Sequence, residues 1–323
     1  NWALRRRWRG SIIPIPPIPT STIWRSTCAR TGSTAGRSMS VSRRAYGPNP
    51  RCTGKTRAVD LLLAEIREEV GDVEVIQFHP NYSYQDFIEG YAINDGRYEP
   101  RKGILLEFLD KIRGKDDSKL AIFVIDEINR GDIPSIFGEL MVLLDKGGNR
   151  VVKTSKFLNE IYLPDNFVVI GTMNTADKSV KQLDIALRRR FKFIFVKPDY
   201  IGLTEWLHCK GWSVTEFSID SYVDSLKKIN ERITKHPTLG KNMTIGQSLF
   251  VPKSNDAVTL SEICDVFNDT ILPQLEAYIG FGNKKDIDEI LGTPDVRMKL
   301  MKGESLSEID LVNLITVLNS AQE

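Results

Sequence analysis

The chain runs Ile122-Phe-Val-Ile-Asp-Glu-Ile-Asn-Arg130 near its middle. A short apolar run, Ala121 to Ile125, ends in two adjacent carboxylates, Asp126 and Glu127. A buried strand gains nothing from neighbouring acids at its tip. A nucleotide-hydrolysing site does: one carboxylate holds Mg²⁺, and the next polarises an attacking water. Taken alone, the pattern fits either a core strand entering a solvated acidic turn or such a site.

Outward from this point, strands and helices alternate. Val73–Phe78, Phe167–Thr172 and Phe191–Val196 read as further strands. Arg57–Val70, Gly103–Ile112, Pro134–Leu144 and Leu183–Leu187 carry helical apolar spacing. The segment His79–Gly90 reads as an aromatic-rich loop. Alternation of this kind predicts an α/β layer with a parallel sheet, whose ligands sit at the carboxyl ends of the strands. Asp126, Glu127 and Asn174 all fall at such ends. A polar Asn174 on a strand tip suits orienting a water or sensing a terminal phosphate.

A second signal stands upstream, in Tyr46-Gly-Pro-Asn-Pro-Arg-Cys-Thr-Gly-Lys-Thr-Arg57. Gly54-Lys55-Thr56 is the second half of a phosphate-binding loop: the lysine reaches the β/γ-phosphates and the threonine hydroxyl ligates Mg²⁺. The helix that follows turns its positive N-terminus toward the phosphates. The first half departs from the pattern. Asn49 stands where G-x-x-x-x-G-K-[ST] requires glycine, and Asn49-Pro-Arg-Cys52 lacks the glycine that lets backbone amides turn inward.

Residues 1–45 differ from the rest in composition. They hold nine arginines, three of the five tryptophans and four prolines, with no lysine and no acid. Four readings apply: a basic arm for nucleic acid, a transit-like segment whose proline cluster spoils an amphipathic helix, a plainly disordered segment, or translation out of frame up to about residue 52. The whole chain has 323 residues, 44 basic against 42 acidic side chains, and a net charge of +2. Without its first 45 residues it is therefore net acidic, which removes any global electrostatic case for nucleic-acid binding. The four cysteines and three histidines show no metal-ligand spacing, which argues against a structural zinc site and fits a reducing cytoplasm. No apolar stretch approaches the ~20 residues that span a bilayer, so no membrane association is expected.

The strings FHPNYSYQDFIEGY (78–91), FVIDEINRGDIPSIFGELMVLLD (123–145), LPDNFVVIGTMNTADKSVKQLDIALRRRF (163–191) and IGQSLF (245–250) together resemble the McrB-type AAA+ nucleoside-triphosphatases, motor subunits of modified-cytosine-dependent restriction systems within the dynein-related AAA subfamily. The resemblance covers roughly residues 53–292. It implies an AAA+ fold, with an α/β nucleotide-binding domain over 46–198 and a mostly helical lid over 199–323; the basic segment over 1–45, disordered or out of frame by its composition, lies ahead of both. Helical spacing in Ser221–Lys235, Ser261–Ile279 (interrupted by Pro273), Ile287–Leu291 and Leu306–Leu318 accords with the lid.

The same resemblance implies roles. Gly54, Lys55 and Thr56 would bind nucleotide, with Thr56 and Asp126 on Mg²⁺. Glu127 would be the catalytic carboxylate and Asn174 the phosphate sensor. Asp177 suits either nucleotide binding beside Asn174 or capping of the next helix. Arg188 and Arg189 are candidates for an arginine finger acting across a subunit boundary, and Arg190 for structural packing. The substrate would be ATP or GTP, the assembly a ring, expected to be a hexamer, and the partner a McrC-type endonuclease. DNA would be met through a domain absent here or through that partner. Two other functions fit the same residues: an AAA+ remodelling ATPase, and a nucleotide-free scaffold left by the altered loop.

Overall fold

The computed structural model describes residues 2–5, 55–115, 117–145, 150–157, 159–174, 185–252, 257–280 and 285–320. Up to residue 196 the elements are β1 (Trp2–Arg5), α1 (Lys55–Glu65), β2 (Val70–Gln77), α2 (Tyr84–Phe87), β3 (Glu89–Asn94), β4 (Arg97–Lys102), α3 (Ile104–Ile112), β5 (Leu120–Asp126), α4 (Ile133–Phe137), α5 (Leu140–Leu143), β6 (Val152–Lys153), β7 (Glu160–Ile161), β8 (Phe167–Thr172), α6 (Ile185–Arg188) and β9 (Lys192–Ile194). One compact unit takes in 2–5 and 58–196, and a second is built chiefly from 197–320.

The apolar run before the two acids is buried on both faces, as the strand of a covered parallel sheet must be. Phe123 and Ile125 face one side, Ile122 and Val124 the other. β5 pairs in parallel with β2 (Val75 opposite Val124) and with β8 (Val124 opposite Ile170). Sheet order is β2-β5-β8-β1-β9. The core beside β5 is aromatic. Phe87 stacks on Phe137 at 5.2 Å and meets Phe123 edge-on at 5.9 Å, and Phe108 meets Phe123 at 5.4 Å. Such ring pairs are worth about 0.5–1.5 kcal/mol each beyond the area they bury.

The expected parallel core is present across β2, β5 and β8. Three other expectations are corrected. β1 runs antiparallel to both β8 and β9, so residues 2–5 of the basic segment, where no strand was expected, form one. Four residues are too few to show a period, and the backbone groups along β8 and β9 reward any strand that pairs with them. The helix expected over 134–144 is two short helices. Gly138 separates them at φ 45°, and a Cβ there would sit 2.6 Å from Tyr84 Cε2. The aromatic loop at 79–90 contains the helix α2 and leads into the hairpin β3–β4, with Tyr91 opposite Pro100.

In the second unit the elements are α7 (Tyr200–Lys210), α8 (Ile219–Lys235), α9 (Leu260–Val266), α10 (Leu272–Ile279), α11 (Lys285–Leu291), α12 (Pro294–Lys302) and α13 (Glu308–Ser320). α8 buries Tyr222, Leu226, Ile229 and Ile233 along one stripe. Between α9 and α10 the chain stays helical through a π-turn, Phe267–Ile271. Proline 273 lacks an N–H and its ring crowds the carbonyl four residues back, and the wider turn relieves both. The string 245–250 is held by buried polar groups. Asn230 donates to the Ile245 carbonyl at 2.9 Å and accepts its N–H at 2.7 Å, and Tyr222 Oη donates to the Phe250 carbonyl at 2.9 Å. Among the described residues no helix is long and apolar enough to cross a membrane.

Candidate functional site

The carboxyl ends of β5 and β8 lie side by side because the two strands pair in register up to Ile125 opposite Gly171. Asp126 is the last residue of β5. Beyond it the chain breaks from the strand at once: Glu127 takes the left-handed conformation, φ 51° and ψ 44°, and Ile128–Arg130 forms a 3₁₀ turn. A left-handed backbone is costly for a side chain of this size, so the surroundings must hold it there. Part of that hold is packing. Ile128 is buried, and its Cδ1 lies 3.0 Å from where a Cβ on Gly171 would stand.

The rest is polar. Thr172, the last residue of β8, is 3% exposed. Its hydroxyl donates to Asp126 Oδ1 and accepts the Glu127 N–H at 3.2 Å. Asn129, also buried, donates from Nδ2 to the Asn174 carbonyl at 3.0 Å. Glu127 Oε2 and Asn129 Oδ1 are buried and accept no hydrogen bond among the described residues. Glu127 Oε2 is instead ion-paired with Arg130, whose Nε lies 3.4 Å away. Asp126 and Glu127 offer hard oxygen donors of the kind Mg²⁺ takes, although among the described residues no group of three or more such ligands gathers around one point.

The expected site residues are therefore dispersed over several elements. Asp126 and Glu127 stand at the tip of β5, and Asn174 follows β8 with its backbone carbonyl bonded to Asn129. Lys55 and Thr56 open α1. Arg188 ends α6, exposed, with its guanidinium 6.0 Å from the Phe193 ring centre, and Arg189 follows it, also exposed. Arg190 behaves differently: its side chain is 8% exposed and Nη2 pairs with Asp145 Oδ2 at 2.8 Å. Gly54, Asp177, residues 6–53 and the start of the helix expected at 183 lie outside the described residues.

Residues 50–191 match the AAA domain of the dynein-related subfamily, and residues 221–288 match the alpha-helical lid domain of McrB. The chain carries a dynein-related AAA domain followed by a McrB-type lid. Among curated proteins it is 37% identical over 222 residues to the Type IV methyl-directed restriction enzyme EcoKMcrB subunit of Escherichia coli (strain K12), covering 64% of this chain and 47% of that protein. It is 34% identical over 91 residues to the Type II restriction enzyme BsuMI component YdiS of Bacillus subtilis (strain 168), covering 24% of this chain and 26% of that one. The chain thus spans less than half the length of these relatives.

Within the AAA domain, reading the sequence missed Thr172 and Asn129. Thr172 was visible as a polar residue closing an apolar run, whereas Asn129 lies among charged neighbours and carried no such mark. Thr172 closes the run Phe-Val-Val-Ile-Gly-Thr, and Asn129 stands between Ile128 and Arg130. What hid them is that each works by reaching a residue about 45 positions away. In the McrB-type lid, by contrast, the string 245–250 owes its character to buried hydrogen bonds with α8.

Proposed function

We propose that the chain is the nucleoside-triphosphatase motor of a modification-dependent restriction system. It hydrolyses ATP or GTP as a homo-oligomeric ring, a hexamer, and drives a McrC-type endonuclease in the cytoplasm. DNA is engaged by that partner or by a domain beyond this chain. The observation that carries this reading is the pair Asp126–Glu127 at the tip of β5, tied through Thr172 to the strand tip that bears Asn174. The match to an AAA domain over 50–191 supports it, as does the restriction-enzyme description of both relatives.

In this reading Asp126 and the Thr56 hydroxyl hold Mg²⁺, which when bound neutralises charge on the phosphate oxygens. Gly54 and Lys55 cradle the β- and γ-phosphates, and Asp177 lies beside the nucleotide. Glu127 polarises the attacking water as a general base. Asn174 orients that water against the terminal phosphate. Arg188 or Arg189, exposed at the end of α6, reaches a neighbouring subunit's site and stabilises the transition-state charge.

The test is nucleotide binding and turnover in the full chain and in Glu127→Gln. Binding should persist in the variant while turnover falls by at least about 100-fold, the usual contribution of a positioned base. Unchanged turnover would remove Glu127 from its role. A second reading, a nucleotide-free scaffold, rests on Asn49-Pro-Arg-Cys52 in the phosphate loop. It predicts no binding by the full chain, and recovery of binding when the loop is rebuilt as Gly-Pro-Pro-Gly-Thr-Gly-Lys-Thr.

A further inference from the structure

Two hydrogen-bonded crossings join the tips of β5 and β8, and neither belongs to the sheet ladder. In the first, the Thr172 hydroxyl is fully committed in direction. By accepting the Glu127 N–H at 3.2 Å it turns its own proton onto Asp126 Oδ1. One buried hydroxyl therefore fixes the rotation of the Asp126 carboxylate and anchors the backbone amide of Glu127 in its left-handed conformation. In the second crossing, Asn129 Nδ2 holds the carbonyl of Asn174 at 3.0 Å. The two crossings sit on either side of Ile128, which is buried over Gly171.

We propose that Thr172 and Asn129 are positioning residues that lock Asp126, Glu127 and Asn174 into one preset group. This inference rests on the nucleotide-hydrolysing reading above for its consequence, but the brace itself is a property of the chain without ligand. Thr172 sets the angle at which Asp126 meets a divalent cation. It also sets the point from which the Glu127 side chain leaves the backbone. Asn129 ties the sensing strand tip to the same turn, so a shift of one tip is carried to the other. Residues that orient a metal ligand from behind typically affect affinity or turnover by about 10–100-fold although they never touch the substrate.

The experiment compares Thr172→Val, Thr172→Ser and Asn129→Ala in the full chain, with two readouts. The first is amide hydrogen exchange at Glu127, which needs no nucleotide. Thr172→Val should speed that exchange at least tenfold relative to the amides of Ile122 to Ile125, and Thr172→Ser should restore protection. Equal exchange in the parent and in Thr172→Val would overturn the brace whatever the turnover. The second readout is Mg²⁺-dependent turnover. Thr172→Val should lower kcat by about 10–100-fold with KM for nucleotide nearly unchanged, and serine should recover most of it. Asn129→Ala should lower kcat as well, and the double variant Thr172→Val/Asn129→Ala should lose less than the product of the single losses. A fall in which KM rises in step and serine gives no rescue would overturn the positioning role. Absence of turnover in the parent itself would count against the nucleotide-hydrolysing reading, and the exchange comparison would then decide the brace alone.

Discussion

Arg188, Arg189 and Arg190 are consecutive and chemically identical, yet their surroundings divide them. Arg190 is buried against Asp145, while Arg188 and Arg189 are exposed at the end of α6. Removing the Arg190 guanidinium leaves Asp145 without its partner and opens a gap. Arg190→Ala should therefore lower unfolding free energy by about 1–3 kcal/mol. An exposed arginine has little stability to lose, so Arg188→Ala should stay within about 0.5 kcal/mol of the parent. Chemical denaturation of both variants checks the pair. A destabilised Arg188→Ala would mean that this side chain is structural and a poor candidate for a finger.

Among the elements, the hairpin β3–β4 and the turn between β6 and β7 are joined by one carboxylate. Glu89 is fully buried at the start of β3 and accepts from the amides of Lys156 and Phe157, at 3.1 and 3.0 Å, and from Asn159 Nδ2 at 2.8 Å. Burial alone would raise its pKa, but the hydrogen bonds from Thr154, Asn159 and the two amides outweigh it and hold the carboxyl below the usual glutamate value. The sign of the linkage follows. The stabilisation is fully present above the ordinary glutamate pKa of about 4.3 and is lost as pH falls through the lower folded value. Unfolding followed between pH 6 and pH 3 should show this loss in the parent and a flatter profile in Glu89→Gln. A variant as acid-sensitive as the parent would assign the loss to other groups.

At the scale of the whole molecule and its assembly, the site on one chain is proposed to need an arginine from another. Mixing Glu127→Gln with the Arg188→Ala/Arg189→Ala double variant tests this directly. Each alone should be nearly inactive, because a finger contributes about 10³–10⁵ in rate. In mixed rings some intact sites face intact fingers, and turnover should reappear above either parent preparation. No gain on mixing would argue against action across the boundary.

How much of this was legible beforehand depends on the range of the interaction involved. β5, β8 and the acids at the tip of β5 were readable, because a run of buried apolar residues ending in two carboxylates is a local signal. So was the α8 stripe, where period and burial coincide. The break at Gly138 was not, since the close approach of the Tyr84 ring that admits only glycine there comes from more than fifty residues away. The hairpin β3–β4 was also missed: all six residues of β4 are exposed, so no alternation of burial marks it. The antiparallel β1 had no local signature, because its place depends on backbone groups of β8 and β9.

The order of residues along the chain was enough to specify the family, the acid-tipped strand and the chemistry those acids suit, because short-range pattern and side-chain type carry that information. Only the folded chain decided how the acids are held. Thr172 and Asn129 act on Asp126, Glu127 and Asn174 through hydrogen bonds between two strand tips, and the sheet must form before those groups can meet. The same holds for the three arginines, whose separate fates follow from which of them the fold turns toward Asp145.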